Sequence, residues 1–517
     1  MDIKNEVKFG KLSSFTEAFA ESSVDYTLPD YLGDVRRVLF TKCEARAASL
    51  FKADDCEEVS GIVAYNVIYI DADNKLCSAS FSSDYDTSVK TGTDTEVKAS
   101  ASPKVLSYNV RLVGPRKFSA KASVSTLLRV TSEDLIAAGG TAYGGEEKPI
   151  SATRVLKIHN SLSSERVERE YAEVVERLDG SIADEVNVLY TSADVVFDGV
   201  EASDGEAVVS GTLVLSAVIQ DADSPIYFVE KRVPIEERIP FEDVSADMSL
   251  IPEGTVVSLS SNVNRDEEGS EVVISAVVEY AVVGEYNEEV MVTTDAYLKK
   301  FAVENTYSDY AYSELVDSQT VSESLSSDIT REEIFGDALR EIVYLEAIPK
   351  IEEMSFEGAK TLIRGDMKLS GLASVNDEDG EISYTGLKFT VPFELAFKCN
   401  AVEGDSFKCN IRASCPTSTI DTDRIKLAYT VSCDVTATRA RCEKILIESS
   451  SVGDERLESV AGRITVYYPD SDESLFSVAK KFHTTPEKIA EDNALSESVA
   501  ASSESGGLGG VKKLFIY

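Results

Sequence analysis

Most of this chain alternates apolar and polar residues with a period of two. Three of the clearest runs are centred on a glycine that has apolar residues at alternating positions around it: Val59–Val63 around Gly61, Val209–Leu213 around Gly211 and Ile363–Met367 around Gly365. This period is typical of half-buried antiparallel strands. A glycine inside such a strand favours a β-bulge or a close contact between sheets over a ligand site.

The same pattern occurs three times along the chain. A short apolar motif precedes each glycine by 22 residues, at Leu39, Leu189 and Val343. A turn signal rich in Asp or Asn follows each glycine-centred run and predicts a hairpin. The copies are 150 and 154 residues apart, which is far longer than the repeats of a solenoid. The sequence therefore predicts a mainly β protein with three tandem antiparallel β-sandwich-like domains, at residues 1–150, 151–305 and 306–458.

Polar stretches between these segments predict less regular elements. Ser164–Arg177 carries oppositely charged residues at helical spacing and predicts a helical lead-in to the second copy. Asp328–Phe335 is interpreted in the same way for the third copy. Linkers are predicted at Gly139–Pro149 and Ser449–Ser459.

Residues 459–517 change to a different pattern. Ile464–Tyr468 is a β-rich run, and Leu475–Phe482 has one apolar helical face, from which Phe476 is excluded. A threonine cap, at Thr484 or Thr485, followed by Pro486 opens a second helix. Leu514–Tyr517 supplies a closing strand. The order predicts a small α+β module with βααβ topology.

Charge limits the partners. The chain has 91 acidic and 51 basic residues and a net charge of −40. Nucleic acid is excluded as a partner because phosphate binding needs clustered Lys and Arg. Docking on anionic lipid is also disfavoured. Met1–Phe9 lacks the apolar region of a signal peptide, and no apolar run approaches the ~18 residues of a membrane span, so we expect a cytoplasmic protein without membrane insertion.

No motif for catalysis, a metal or a cofactor is present. The chain has only two histidines, His159 and His483, and its eight cysteines form no C-x-x-C pair, so a zinc site is not expected. Cys433 alternates with apolar residues and is predicted to be buried in a strand. Gly506–Gly510 lacks the Lys-Ser/Thr that completes a phosphate-binding loop. We expect a protein with no catalytic residues, no bound metal and no cofactor.

The βααβ order, together with Leu475–Thr485, resembles a LysM domain. LysM domains that bind N-acetylglucosamine chains use two loops, and their first loop usually reads Gly-Asp-Thr. Here that loop is Asp472-Glu473-Ser474, and the usual Trp is Phe476. The rewritten loop makes glycan binding doubtful.

Leu28–Leu39 and the glycine-centred strands resemble a domain of endospore-coat assembly proteins. Tandem copies followed by one LysM domain are similar to the SipL-like family of spore-coat morphogenetic proteins. The resemblance implies a non-enzymatic scaffold in the mother-cell cytoplasm, located at the forespore outer surface. There its LysM domain would dock on the coat morphogenetic ATPase (SpoIVA-like), next to other coat proteins.

The resemblance also implies which residues of the module bind the partner: Ile464, Asp472, Glu473, Ser474, Phe476, Asn493 and Leu495. Phe476 is expected to be an exposed anchor because it lies off the apolar face of its helix. Ile464 has an alternative interpretation as a core strand residue in phase with Val466 and Tyr468. Two other functions stay open: a cell-wall protein that binds peptidoglycan, and a polysaccharide-active enzyme targeted by its LysM domain.

Overall fold

The structure is a computed structural model, and it describes residues 6–53, 56–90, 98–137, 140–142, 148–179, 186–221, 226–265, 269–377, 380–456, 464–470, 473–495, 508 and 511–517. The chain is mainly β, as predicted, with two short α-helices near its end. Neither helix in the described part of the chain is long and apolar enough to cross a membrane.

In the described residues, twenty strands precede the C-terminal module. For convenience, residues 1–150, 151–305 and 306–458 are called copy one, copy two and copy three. The first seven strands are β1 (Glu6–Thr27), β2 (Val35–Ala53), β3 (Cys56–Asp71), β4 (Leu76–Lys90), β5 (Lys98–Gly114), β6 (Lys117–Ala137) and β7 (Gly140–Ala142). The next seven are β8 (Ile150–Ser163), β9 (Val167–Asp179), β10 (Asn187–Ser203), β11 (Glu206–Gln220), β12 (Tyr227–Pro240), β13 (Ser249–Arg265) and β14 (Gly269–Tyr297). The last six are β15 (Phe301–Thr330), β16 (Leu339–Glu357), β17 (Lys360–Asn376), β18 (Ile382–Lys398), β19 (Ser406–Ile420) and β20 (Arg424–Arg456).

Each copy contains two sheets. One is a three-stranded meander with the order β2-β3-β4, β10-β11-β12 or β16-β17-β18. The other is β1-β6-β5 in copy one, β13-β14-β8 with β9 also on β14 in copy two, and β15-β20-β19 in copy three. Strand pairing is antiparallel throughout the described residues, except where β7 runs parallel to β20. The two sheets of copy two bury one apolar cluster between them, which includes Val209, Leu213, Leu215, Val272, Ile274 and Val278.

The predicted helical lead-in to copy two is wrong. Most of Ser164–Arg177 lies in strand β9, which pairs with β14. Its charged side chains pair with other strands rather than along a helix: Arg169 Nε lies 2.8 Å from Glu237 Oε2, and Arg177 Nη2 lies 3.0 Å from Glu271 Oε1. Tyr171 packs on the core of copy two. Tertiary burial therefore outweighed local helical pairing, which contributes only ~0.2–0.5 kcal/mol per pair.

The lead-in to copy three also differs from its prediction. Asp328–Phe335 comprises the end of β15 and one 3-10 turn, Arg331–Glu333. The predicted linker Ser449–Ser459 is strand β20 as far as Arg456, and its remaining residues lie outside the described part of the chain. Of the predicted linker Gly139–Pro149, Gly140–Ala142 forms β7.

The three repeated glycines lie opposite β-bulges, as the pattern predicted. Gly61, Gly211 and Gly365 each face a register shift in the neighbouring strand of their meander. A Cβ atom at these positions would approach a backbone carbonyl oxygen of that strand to 2.3, 2.4 and 2.1 Å, respectively. The glycines are therefore required by close backbone approach.

A second bulge falls inside the repeated apolar motif. In the first strand of each meander, one residue has no paired residue in the neighbouring strand. These residues are Leu39, Leu189 and Val343. The next residue in each copy is aromatic, and both residues of each motif are buried in one common cluster. Because a bulge inserts an extra residue, two consecutive side chains can serve the same buried cluster.

This common cluster lies where the three copies meet, and each copy contributes equivalent residues. Its members are Leu39, Leu189 and Val343; Phe40, Tyr190 and Tyr344; Ile68, Val218 and Leu372; and Leu76 and Ile226, with Tyr384 packed against them. The ring centroids are 6.0 Å apart for Phe40 and Tyr190, 5.5 Å for Phe40 and Tyr344, and 5.1 Å for Tyr190 and Tyr344.

Contacts between the three meanders follow one repeating rule. β4 contacts β10, β12 contacts β16, and β18 contacts β2. In each case the last strand of one meander meets the first strand of the next. The three meanders therefore close head to tail into a ring around the common cluster, rather than following one another in a line.

A second interface joins copies two and three. β8 and the end of β14 pack on β15 and β20 through a smaller cluster: Leu156, Ile158, Val290, Val292 and Ile445. The C-terminal module packs on the β body next to this second interface. It consists of β21 (Thr465–Tyr467), α1 (Leu475–Lys481), α2 (Pro486–Asp492) and β22 (Leu514–Ile516), with β21 antiparallel to β22.

Candidate docking site on the C-terminal module

The two helices of the module begin at side-chain caps. The Ser474 hydroxyl oxygen accepts a hydrogen bond from the Ser477 backbone N–H at 3.1 Å. The Thr485 hydroxyl oxygen accepts one from the Lys488 backbone N–H at 3.2 Å, and Pro486 follows at the first helical position. Ser474, which the resemblance assigned to partner binding, therefore serves as the cap of α1.

Glu473 closes the first loop. The Tyr467 hydroxyl donates to its carboxylate at 2.7 Å, and the Asp470 backbone N–H donates to the same group at 3.1 Å. The backbone N–H of Leu508 donates to the Glu473 carbonyl oxygen at 2.9 Å, which ties the second loop to the first. Asp472, the remaining first-loop candidate, lies outside the described residues.

Asn493 and Leu495 also make contacts within the module. Asn493 Nδ2 donates to the carbonyl oxygens of Ile489 and Phe515 at 2.9 and 2.8 Å, and Asn493 Oδ1 accepts from the Phe515 N–H at 2.6 Å. These bonds join α2 to β22. The side chain of Leu495 is half-buried against the apolar core of the module. Each described candidate of the two loops thus has a structural partner.

Phe476 is not an exposed anchor; that expectation is wrong. Its side chain is only 7% exposed. Its ring packs edge-on against Tyr297 at the end of β14, with centroids 5.2 Å apart. The helical face defined by Leu475 and Val478 packs inside the module, whereas Phe476 packs on the β body. The helix is therefore buried on two sides, which the pattern of the module alone could not show.

Polar contacts reinforce this junction. Lys480 Nζ lies 2.6 Å from Asp295 Oδ2, and Tyr307 donates to Asp295 Oδ1 at 2.8 Å. The Tyr297 hydroxyl donates to the Thr484 carbonyl oxygen at 2.6 Å. Burial, with the nearby carboxylates, raises the pKa of Tyr297, so its hydroxyl stays protonated and can donate this bond. The module is therefore held against the body by apolar, ionic and hydrogen-bonding contacts.

The outward face of the two-stranded sheet is apolar and exposed. Ile464 is 62% exposed and Tyr468 is 70% exposed, with the exposed Val466 between them. Val466 lies directly opposite Phe515, and the exposed Tyr517 continues the same face. The interpretation of Ile464 as a core residue is therefore wrong.

The opposite face of this sheet covers the module's core. Leu514 and Ile516 are buried there, and the Tyr467 ring packs on Phe482 with centroids 5.2 Å apart. Strand alternation then places Ile464, Val466 and Tyr468 outward together. We call Ile464, Val466, Tyr468, Phe515 and Tyr517 the outer face. A contiguous exposed apolar surface of this kind marks interaction sites in soluble proteins.

Other chemistry-bearing residues have local partners. His159 on β8 lies with its Nε2 atom 2.5 Å from Glu285 Oε2 on β14, and both side chains are buried. Cys433 is fully buried, as predicted, and forms a disulfide with Cys409 on the neighbouring strand. Within the described ranges, no group of three or more His, Cys, Asp or Glu residues is placed to hold a metal ion.

The comparisons with known proteins yield no relative. No protein-family model, curated protein or solved structure matches this chain.

Proposed function

We propose that this protein is a non-enzymatic scaffold that docks on a protein partner through the outer face of its C-terminal module. The observation that carries the proposal is the exposure of Ile464, Val466 and Tyr468 on one apolar strand face. Following the resemblance, the partner is the coat morphogenetic ATPase at the forespore surface, and the module is a LysM domain used for protein binding.

The two loops support a protein partner over a glycan. Glu473, Ser474 and Asn493 form hydrogen bonds within the module. Glycan recognition would need polar groups of these loops directed at the ligand. The outer face instead offers aliphatic and aromatic side chains, of which aromatic residues are enriched among the hot spots of protein interfaces.

The β body supports a scaffold role. Its three copies close into one ring, so three sets of related surfaces are held in fixed relative positions. A body of this kind can bind several partners at once and gain avidity without flexible linkers. Under this proposal the copies are three β-sandwich-like domains that contact other coat proteins.

Binding of the full-length chain to the purified coat ATPase tests the proposal. Tyr468→Asp places a charge on the outer face, and Lys488→Asp is the matched control because Lys488 is exposed on α2, away from that face. We expect Tyr468→Asp to weaken binding at least tenfold and Lys488→Asp to leave it within twofold. Equal binding by both variants would refute docking through the outer face.

The same proteins should be tested on insoluble peptidoglycan. The proposal expects no retention of the wild-type chain. Retention that Tyr468→Asp abolishes would instead support the cell-wall alternative, in which exposed aromatic rings stack on sugars.

A further inference from the structure

Lys42 lies at the centre of the ring and interacts electrostatically with a carboxylate of each copy: Glu44 of its own copy, Asp194 of copy two and Glu346 of copy three. Two residues after each central aromatic residue, the equivalent positions are Lys42, Ser192 and Glu346. Lys42 Nζ lies 2.8 Å from Glu44 Oε1 of its own copy and 3.5 Å from Glu346 Oε1 of copy three. It also lies 5.5 Å from the ring centroid of Tyr190 in copy two. Lys42 therefore touches all three copies.

This charge is buried and compensated. The side chains of Lys42 and Glu346 are only 12% and 15% exposed. Burial opposes the charge of Lys42, but the neighbouring tyrosines and carboxylates outweigh it and hold its pKa well above the ordinary value. The charge of Lys42 in turn lowers the pKa of Glu44 to about 2. Burial raises the pKa of Glu346, and Lys42 offsets part of that effect.

The residues at the three positions of Lys42 differ between the copies, whereas the residues of the apolar cluster are nearly equivalent. Of the three equivalent positions, one carries a cation, one a hydroxyl and one a carboxylate. A ring that contained copy one twice would bring two Lys42 ammonium groups together. A ring that contained copy three twice would bring two Glu346 carboxylates together. A buried charge without its partner costs far more than a complete pair gains.

We propose that the Lys42–Glu346 pair is a specificity device that makes the three copies of one chain close with each other. Tandem repeats are prone to exchange equivalent elements between chains. The apolar cluster by itself would tolerate such exchange, because its residues are nearly equivalent in all three copies. The ion pair would oppose such exchange, because it forms only when copy one and copy three are in the same ring.

Exchange of the two charges tests this proposal in the full-length chain. The variants are Lys42→Glu, Glu346→Lys and the double variant, with Lys121→Glu as an exposed control on β6 of the same copy. Thermal unfolding measures ring stability, and size-exclusion chromatography with light scattering measures exchange between chains. We expect each single variant to unfold at a lower temperature than the control and to form more oligomer than the wild type.

The double variant should recover part of both properties relative to Lys42→Glu, because Glu346→Lys returns an ammonium group that faces the carboxylates at positions 42 and 44. A double variant no better than the worse single variant would overturn the proposal, as would single variants that behave like the control. If the charge reversals do not fold, Lys42→Met and Lys42→Met with Glu346→Gln replace them. The second of these should then be the more stable, since Glu346→Gln removes the buried carboxylate that Lys42→Met leaves without its partner, and the opposite order would also overturn the proposal.

Discussion

Truncation of Phe476 should loosen the C-terminal module without unfolding the β body. In Phe476→Ala the ring that packs on Tyr297 is lost, and a cavity forms between α1 and the end of β14. Phe-to-Ala changes at buried sites cost about 3–5 kcal/mol. The lower part of that range applies here because the site lies at a junction that can partly close.

About 3 kcal/mol corresponds to roughly a hundredfold shift toward the open module. A small module has little stability in reserve, because it buries a smaller fraction of its surface than a large domain does. The ring should be unaffected, since its central cluster contains no residue of the module.

Amide hydrogen exchange followed by mass spectrometry measures this effect. The reporters are the Val478 and Phe482 N–H groups, which donate to Ser474 and Val478 carbonyl oxygens at 3.1 Å within and next to α1. We expect their exchange to accelerate by about two orders of magnitude in Phe476→Ala. Lys488→Ala, an exposed change on α2, is the control.

Tyr297→Ala tests the same junction from the side of the body. It removes the ring contact and the hydrogen bond to the Thr484 carbonyl oxygen, so it should also accelerate exchange in α1. Unchanged exchange of α1 in both variants would refute the packing of Phe476 on the body.

The burial of Phe476 decides which variant can be used to test partner binding. A charge at position 476, as in Phe476→Glu, would be placed in a buried site and would disrupt the module. Loss of binding by that variant would report unfolding as readily as a lost contact. Tyr468→Asp avoids this problem because its side chain is exposed.

Three further predictions concern the ring and the module. Gly211→Ala should lower the unfolding temperature, because its Cβ atom would lie 2.4 Å from a backbone carbonyl oxygen. Gly199→Ala is the control and should be tolerated, because its nearest contact would be at 3.6 Å. Similar unfolding temperatures of the two variants would contradict the bulge argument. Asn493→Ala should cost about 1–3 kcal/mol by leaving backbone groups of β22 unpaired, which rapid exchange of that strand would reveal. Acid should destabilise the ring as the pH falls from about 4.5 toward 2, because Glu44 stays ionised in the folded protein with a pKa of about 2. Lys42→Met should lose part of this acid sensitivity in thermal unfolding, and an unchanged pH profile would refute the pairing.

Local backbone properties of this protein were readable from its sequence. The alternation around Gly61 predicted strands, and the glycine predicted a bulge, because both depend on residues adjacent in the chain or directly across a hairpin. Thr485 and Pro486 marked the start of α2 for the same reason, since a cap needs only the first turn of its helix. Burial of Cys433 followed from its place in one alternating run.

The tertiary structure decided everything that depends on which surfaces meet. Ser164–Arg177 has the charge spacing of a helix, yet its Arg side chains pair with other strands because the segment completes a sheet. Phe476 was expected to be exposed and is buried, because the body covers one side of α1. Ile464 is exposed rather than in the core, because nothing in the described residues covers the outer face. The ring depends on Phe40, Tyr190 and Tyr344 meeting across more than a hundred residues of chain. A sequence pattern records which side chains can be buried, but long-range packing determines what buries them.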